Sequence, residues 1–308
     1  MSGTVLVTGA TGFIGRHLVP ALLARGFSVR VALRRPADII GLPVEVIPFI
    51  VGDLNEAVDW PPSLQDADAV VHLAGLAHTG GGIPEAAYDR VNRWATVRLA
   101  EAARDAGGRF VFMSSVRAQT GPTAPGTLTE ESPPMPTDAY GRSKLKAERE
   151  IAALGGRFVI LRPTLVYGKG VGGNMRSLTR LARLPIPLPF GTIGNARSLL
   201  AVENLIAAII LALTSDAALG GTFLVADEAP VSLAEIVTFL RRGSGRGRGL
   251  IPVPPALIAG PLTLLGQKGM WERLSGSLVV STARLSALGY RPAVTTEAAL
   301  AALGASAK

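Results

Sequence analysis

Tyr140 and Lys144 stand four residues apart in the run Tyr-Gly-Arg-Ser-Lys, a spacing that puts a phenol and an ammonium on one face of a helix. A phenol with an ordinary pKa near 10 is a poor acid–base group at neutral pH. A neighbouring cation favours the phenolate and is expected to bring Tyr140 closer to its working range. Ser114 and Ser115 follow the apolar run Arg109–Met113, so they fall at the carboxyl end of a strand. Ser115 there can hydrogen-bond a reacting oxygen and hold it near the tyrosine. There is no cysteine, and His17, His72 and His78 are scattered, so no metal site is expected.

These groups need a frame, and the first residues supply it. Thr4–Thr8 is a short β-branched run, followed by Gly9, Gly12 and Gly15 and then by the helical pattern of Phe13, Ile14, Leu18, Val19 and Leu22. Strand, glycine turn and helix in succession form the first half of a dinucleotide-binding βαβ unit. Gly9 permits the tight turn, Gly12 lets backbone N–H groups reach a pyrophosphate, and Gly15 lets the helix lie close on the strand. The candidate cradle is Gly9, Thr11, Gly12, Phe13, Ile14, Gly15 and Arg16.

A second strand, Ser28–Leu33, ends in Arg34 and Arg35, where an NAD site ordinarily carries a carboxylate. Two guanidiniums suit a 2′-phosphate, so NADP(H) is favoured and NAD(H) remains the alternative. Further strands are expected over 44–50, before Asp53 and Leu54, and over 69–73, before Ala74 and Gly75. Asp53 is a candidate acceptor for the adenine amino group, or a cap on the short turn after it. Leu54, Leu73, Ala74 and Gly75 are read as backbone and small side chains lying along the cofactor. His72 reads as a satisfied core histidine. One long helix is expected over 85–106, with Asn92 bonding backbone between elements, and another over 138–154 with Asp138 as its N-cap. The two could pair across a homodimer or within one chain.

The 308 residues, 48% hydrophobic and 18% charged, suffice for a large α/β domain with a smaller lobe. The net charge of +8 suits nucleic acid, anionic lipid or an anionic small substrate. The run from Arg241 to Arg248 has no aromatic residue to stack on a base and reads as an exposed, flexible connection, so nucleic acid is not an expected partner. The apolar stretch 251–265 is broken by four prolines and is too short to span a bilayer. A cytoplasmic protein, with no membrane insertion, is expected.

The motifs TGATGFIG (8–15), GDL (52–54), HLAG (72–75), SS (114–115), YGRSK (140–144) and RPTLVYG (162–168) together resemble an extended short-chain dehydrogenase/reductase of the NAD-dependent epimerase/dehydratase family. RSLLAVENL (197–205) and LGYRP (288–292) extend the likeness over nearly the whole chain. The resemblance implies Tyr140 as general acid–base, Lys144 on the nicotinamide ribose, Ser115 orienting substrate, and Pro163 and Thr164 at the nicotinamide end. It further implies a nucleotide-sugar gripped by Ser114, Asn174 and Arg197, the last on its diphosphate.

After Ser115 comes Val116-Arg117-Ala118, where sugar-nucleotide dehydratases carry an Asp-Glu pair, so dehydration is not expected. The chain looks most similar to bacterial UDP-sugar 4-reductases of the UDP-N-acetylquinovosamine-forming type, which serve lipopolysaccharide synthesis. The implied reaction is NADPH-dependent reduction of a C4 ketone. The alternatives are a UDP-hexose 4-epimerase with tightly held NAD, a reductase of a small carbonyl compound, and a non-catalytic NADP(H)-binding subunit. The fold expected is a doubly wound parallel sheet (Rossmann) with a smaller α/β lobe. Residues 1–166 and 197–226 would bind NADP, and 167–196 with 227–308 would bind substrate.

Overall fold

The computed structural model describes residues 3–77, 82–264 and 268–306, so His78 lies outside the described residues. Seven parallel strands form the main sheet: β1 (Thr4–Thr8), β2 (Ser28–Leu33), β3 (Ile47–Ile50), β4 (Ala69–His72), β5 (Arg109–Met113), β6 (Phe158–Pro163) and β7 (Gly221–Val225). Their order is β7-β6-β5-β4-β1-β2-β3. β5 and β6 are buried at every residue, as a sheet covered on both faces requires. The order reverses between β1 and β4, and that crevice at the carboxyl ends is where ligands of such sheets bind.

The principal helices are α1 (Phe13–Leu23), α2 (Ala95–Asp105), α3 (Ala139–Leu154), α4 (Gly173–Ala182), α5 (Val202–Thr214), α6 (Leu233–Gly243), α7 (Pro255–Leu264) and α8 (Thr296–Ser306). Leu18, Val19 and Leu22 of α1 pack with Leu205 and Ile209 of α5 on one face of the sheet. Leu99 and Ala103 of α2 and Ala147 and Ile151 of α3 cover the other. A further core joins α4, α6 and α8 through Met175, Val237, Leu240 and Leu300.

Three expectations are refined or corrected. β3 begins at Ile47 rather than at residue 44, because Val44 is 96% exposed and ladder pairing starts at Arg30 opposite Ile47. The helix over 85–106 runs without interruption from Glu85 to Asp105, but widens into a π turn at Asp89–Trp94 between Glu85–Tyr88 and α2. At that turn Asn92, wholly buried, exchanges two hydrogen bonds with the backbone of Leu76. A side chain tied to a neighbouring loop accounts for the widened turn. Leu199–Ala201 pairs in parallel with Leu165–Tyr167, and Leu200 packs into the core of the main sheet. Finally, Arg241 is not part of an exposed connection. It is buried in the last turn of α6, and its guanidinium donates to the carbonyls of Ala182, Leu184 and Gly247.

Within the chain, α3 lies against the 85–94 segment through three cross-pairs, Glu85–Arg142, Asp89–Lys146 and Arg93–Glu150. Leu285 and Tyr290, far along the C-terminal portion, pack into the main core rather than beside α4 and α6.

Candidate active site

The glycine turn leaves β1 at the sheet's switch point. Gly9 has φ +70°, and a Cβ there would come within 2.7 Å of the Ala74 nitrogen, so both conformation and space demand glycine. A Cβ on Gly15 would overlap the Gly9 carbonyl and the Ala10 backbone, because α1 lies that close to the strand. Gly12 differs. A Cβ there meets only the Gly9 oxygen, at 3.2 Å, and otherwise points into open space before the N-terminus of α1. The cradle therefore fits a pyrophosphate: it is open at one glycine and closed at two, and the helix N-terminus supplies partial positive charge.

Gly12→Ala is accordingly expected to leave the thermal midpoint nearly unchanged while weakening dinucleotide binding about tenfold or more, the loss of one charge-assisted contact. Paired thermal melts and cofactor titrations check this. A large fall in stability without an affinity loss would instead make Gly12 a packing residue.

Around this turn, Thr11, Phe13 and Ile14 are half-buried. Arg16 is exposed, and its Nε donates to the Thr11 carbonyl. Arg34 and Arg35 stand exposed at the end of β2, Arg34 paired with Asp53 and Arg35 with Asp38. The Asn55 amide beside Asp53, with Arg34, holds its carboxyl below the usual range. Leu54 packs against the core under the sheet. The Leu73 nitrogen reaches the Thr8 carbonyl and the Ala74 nitrogen the Thr8 hydroxyl, so this loop borders the glycine turn.

The acid–base residues converge beside it. Asp138 caps α3 by accepting from the Gly141 nitrogen at 2.7 Å, as the sequence leads one to expect. Two residues in, the Tyr140 phenol lies beside Ser115 and packs edge-on against Tyr88, 6.0 Å between centroids. Lys144 is buried. Its Nζ donates to the Met113 carbonyl at 3.0 Å and sits 4.7 Å from the Phe112 ring centroid. A Cβ on Gly75 would lie 3.5 Å from that Nζ, so the loop after β4 closes over the lysine.

The ionisation of the pair differs from expectation. Burial pushes the Tyr140 phenol up to about 12, with Asp138 and Tyr88 adding to the rise, while the Ser115 hydrogen bond and the Arg117 charge oppose it. Burial also pulls Lys144 down to about 8, against the opposing attraction of Glu148. Desolvation outweighs the neighbouring cation here, and the phenol stands as a protonated donor. His72 is the core histidine expected: it bonds Thr8 and Thr96, and burial holds it neutral, down to about 3.

Three participants carry no sequence signal of their own. Arg117 ion-pairs with Asp138 and lies near both Tyr140 and Arg197. Tyr88 borders the phenol. Glu148, one turn past Lys144, is buried against Arg162 and accepts from Ser114. The hydroxyl of Ser114 is thus committed to the interior. Pro163 and Thr164 are buried at the end of β6, where the Thr164 nitrogen bonds Val225. Asn174 is exposed in the first turn of α4, whose N-cap is Gly172, so Asn174 does not cap it. Arg197 is partly buried and donates to the carbonyls of Gly276 and Pro122. Among the described residues no His, Asp or Glu cluster could hold a metal ion.

Residues 5–226 match the model of the NAD dependent epimerase/dehydratase family. A UDP-glucose 4-epimerase of Vibrio cholerae is 36% identical over 309 residues, spanning 96% of this chain and 93% of the relative. Among solved structures, MoeE5 in complex with UDP-glucose and NAD is 28% identical, with TM-score 0.74, over 98% of this chain and 97% of the other. UDP-glucuronic acid 4-epimerase from Bacillus cereus, in complex with NAD, shares the fold at TM-score 0.78 and 24% identity, over 99% of this chain and 96% of the other.

Proposed function

The chain belongs to the NAD-dependent epimerase/dehydratase family, and from that premise we propose that it reduces the C4 ketone of a UDP-sugar with NADPH. The observation that carries a C4 hydride transfer is the convergence of Ser115, Tyr140 and Lys144 beside the glycine turn. When bound, NADPH would supply the hydride to C4. Tyr140, protonated and beside Ser115, gives its proton to the C4 oxygen, and ketone plus hydride plus proton balance as the alcohol. Ser115 holds that oxygen in line, and Lys144 fixes the nicotinamide ribose and carries the local positive charge.

In this reading Gly9 to Arg16, Asp53, Leu54 and Leu73 to Gly75 line the cofactor, with Pro163 and Thr164 at its nicotinamide end. Asn174 and Arg197 face the sugar nucleotide, Arg197 exchanging its carbonyl partners for the diphosphate. Residues 1–166 and 197–226 make up the cofactor half, and 167–196 with 227–308 the sugar half. The product suits cytoplasmic synthesis of cell-surface polysaccharide precursors.

Arg34 and Arg35 favour NADPH over NADH. Arg34→Ala combined with Arg35→Ala is expected to raise KM for NADPH roughly tenfold to a hundredfold, the loss of one or two hydrogen bonds to a charged group, and to leave KM for NADH nearly unchanged. Equal effects on both cofactors would remove the NADP preference.

The likeness to a UDP-glucose 4-epimerase, and to a solved structure that holds UDP-glucose and NAD, favours a second reading, interconversion of UDP-hexose C4 epimers with retained NAD. The deciding experiment offers NADPH or NADH with a panel of 4-keto UDP-sugars, and UDP-glucose alone in parallel. Stoichiometric NADPH oxidation supports reduction. Conversion of UDP-glucose to UDP-galactose without net cofactor consumption supports the epimerase.

A further inference from the structure

Between Glu150 and Glu203, and again between Glu235 and Glu272, the chain carries no Asp or Glu. The fold brings these two stretches together. The Leu188 nitrogen bonds the Gly249 carbonyl, and Ile251 in turn bonds Leu188. Thr192 bonds the Val253 carbonyl, and buried Arg241 ties the 182–186 loop to Gly247. One face of the molecule is thereby built from segments with cations and no anions.

That face is also apolar. Leu184 and Ile186 are exposed on one loop and Ile251 on the other. α7, Pro-Ala-Leu-Ile-Ala-Gly-Pro-Leu-Thr-Leu, follows directly. Its Ile258 packs into the core of the second lobe, while Leu257 and Leu264, seven residues apart and so on one side, are 67% and 89% exposed. Arg176, Arg180 and Arg183 lead into the first loop and Arg246 and Arg248 into the second; among the described residues none of these five has an ion-pair partner.

Exposed leucine and isoleucine beside unpaired guanidiniums match the boundary of a bilayer that carries anionic lipid. Two other occupants fit less well. In a two-fold dimer through this face the same patch would oppose itself, cation against cation. Single-stranded RNA is bound by stacking on aromatic side chains, and Phe190, the one aromatic residue between 176 and 264 in either stretch apart from Phe239 of α6, is buried. No helix among the described residues is long and apolar enough to cross a membrane, so the contact is peripheral.

We propose that this face, the 184–186 and 246–251 loops with α7, docks the protein reversibly on an anionic membrane surface. The docking goes beyond the proposed reaction and does not depend on which sugar or cofactor the cleft takes.

The test is flotation of the full chain with phosphatidylcholine vesicles that contain phosphatidylglycerol or lack it, at low (about 0.05 M) and high (about 0.5 M) salt. Binding is expected only to the anionic vesicles, and less at high salt. Arg246→Glu with Arg248→Glu, and separately Leu257→Glu with Leu264→Glu, should each weaken it about tenfold or more. Cofactor titration and thermal melts confirm that both variants are folded. No vesicle binding, equal binding to neutral vesicles, or binding indifferent to both pairs would overturn the proposal. So would a gel shift of single-stranded RNA, or a dimer abolished by the leucine changes, without vesicle binding.

Discussion

Replacing Tyr140 by phenylalanine is expected to lower kcat by about 10³-fold, within the range for removing a positioned general acid, while the dissociation constant of the cofactor stays within about threefold. The geometry separates the two effects. The ring keeps its edge-on contact with Tyr88, and the glycine cradle is built from β1, α1 and the loop after β4, none of which depends on the hydroxyl. In the proposed reaction, what is lost is the proton that the carbonyl oxygen would receive. Single-turnover measurement with bound cofactor isolates that step, and a variant that still reduces at more than a tenth of the parent rate would remove Tyr140 from the chemistry.

The pH profile follows from the same two groups. Tyr140, pushed up to about 12, remains a proton donor throughout the working range. Lys144, pulled down to about 8, is the group that titrates. Charged below that value and neutral above it, it predicts kcat/KM for the cofactor that is flat on the acid side and falls as pH rises through about 8. Glu148 facing it from its own helix, and His72 held neutral across the sheet, are the other titratable groups nearby. A limb that persists unchanged in Lys144→Met would assign the titration to another residue.

Much of this site is legible along the chain because its parts are local. Gly9, Gly12 and Gly15 declare a turn through spacing, Asp138 declares a helix start three residues ahead of Gly141, and Tyr140 and Lys144 share a face by helical period alone. The folded molecule keeps each of these features. What cannot be read locally is what surrounds a group. The phenol's pKa depends on its burial and on Asp138, Tyr88, Ser115 and Arg117 around it, residues scattered along the chain, so a reading of Tyr140 from its nearest cation gives the wrong sign. Arg241 sits in a glycine-arginine run whose composition signals solvent, yet besides nearby Gly247 the carbonyls of Ala182, Leu184 and Ile186, from far earlier in the chain, receive it. Asn92 looks like a lone polar residue on a helix, and only the Leu76 backbone explains the π turn.

Behind the lysine lies the second large effect. Glu148 and Arg162 are both buried, joined by Arg162 Nη2 to Glu148 Oε2 at 2.6 Å and Arg162 Nε to Glu148 Oε1 at 3.0 Å. Ser114 donates to the same carboxylate, and Gln119 accepts from the guanidinium at 3.2 Å. Every polar atom of the carboxylate is thus engaged, and removing it leaves a buried guanidinium with one partner. Breaking such a pair from one side costs about 3–5 kcal/mol, whereas replacing both partners by apolar residues is often neutral. Glu148→Gln is therefore expected to lose about that much in denaturant unfolding, and Glu148→Met with Arg162→Met to recover most of it. A double variant as unstable as the single one would mean that the network holds the fold by shape rather than by charge. The single change carries a further signature: without the carboxylate that favours its ammonium, Lys144 loses its proton more readily, so the alkaline limb moves below about 8. A pair that only braced β6 against α3 would change stability and leave that limb in place.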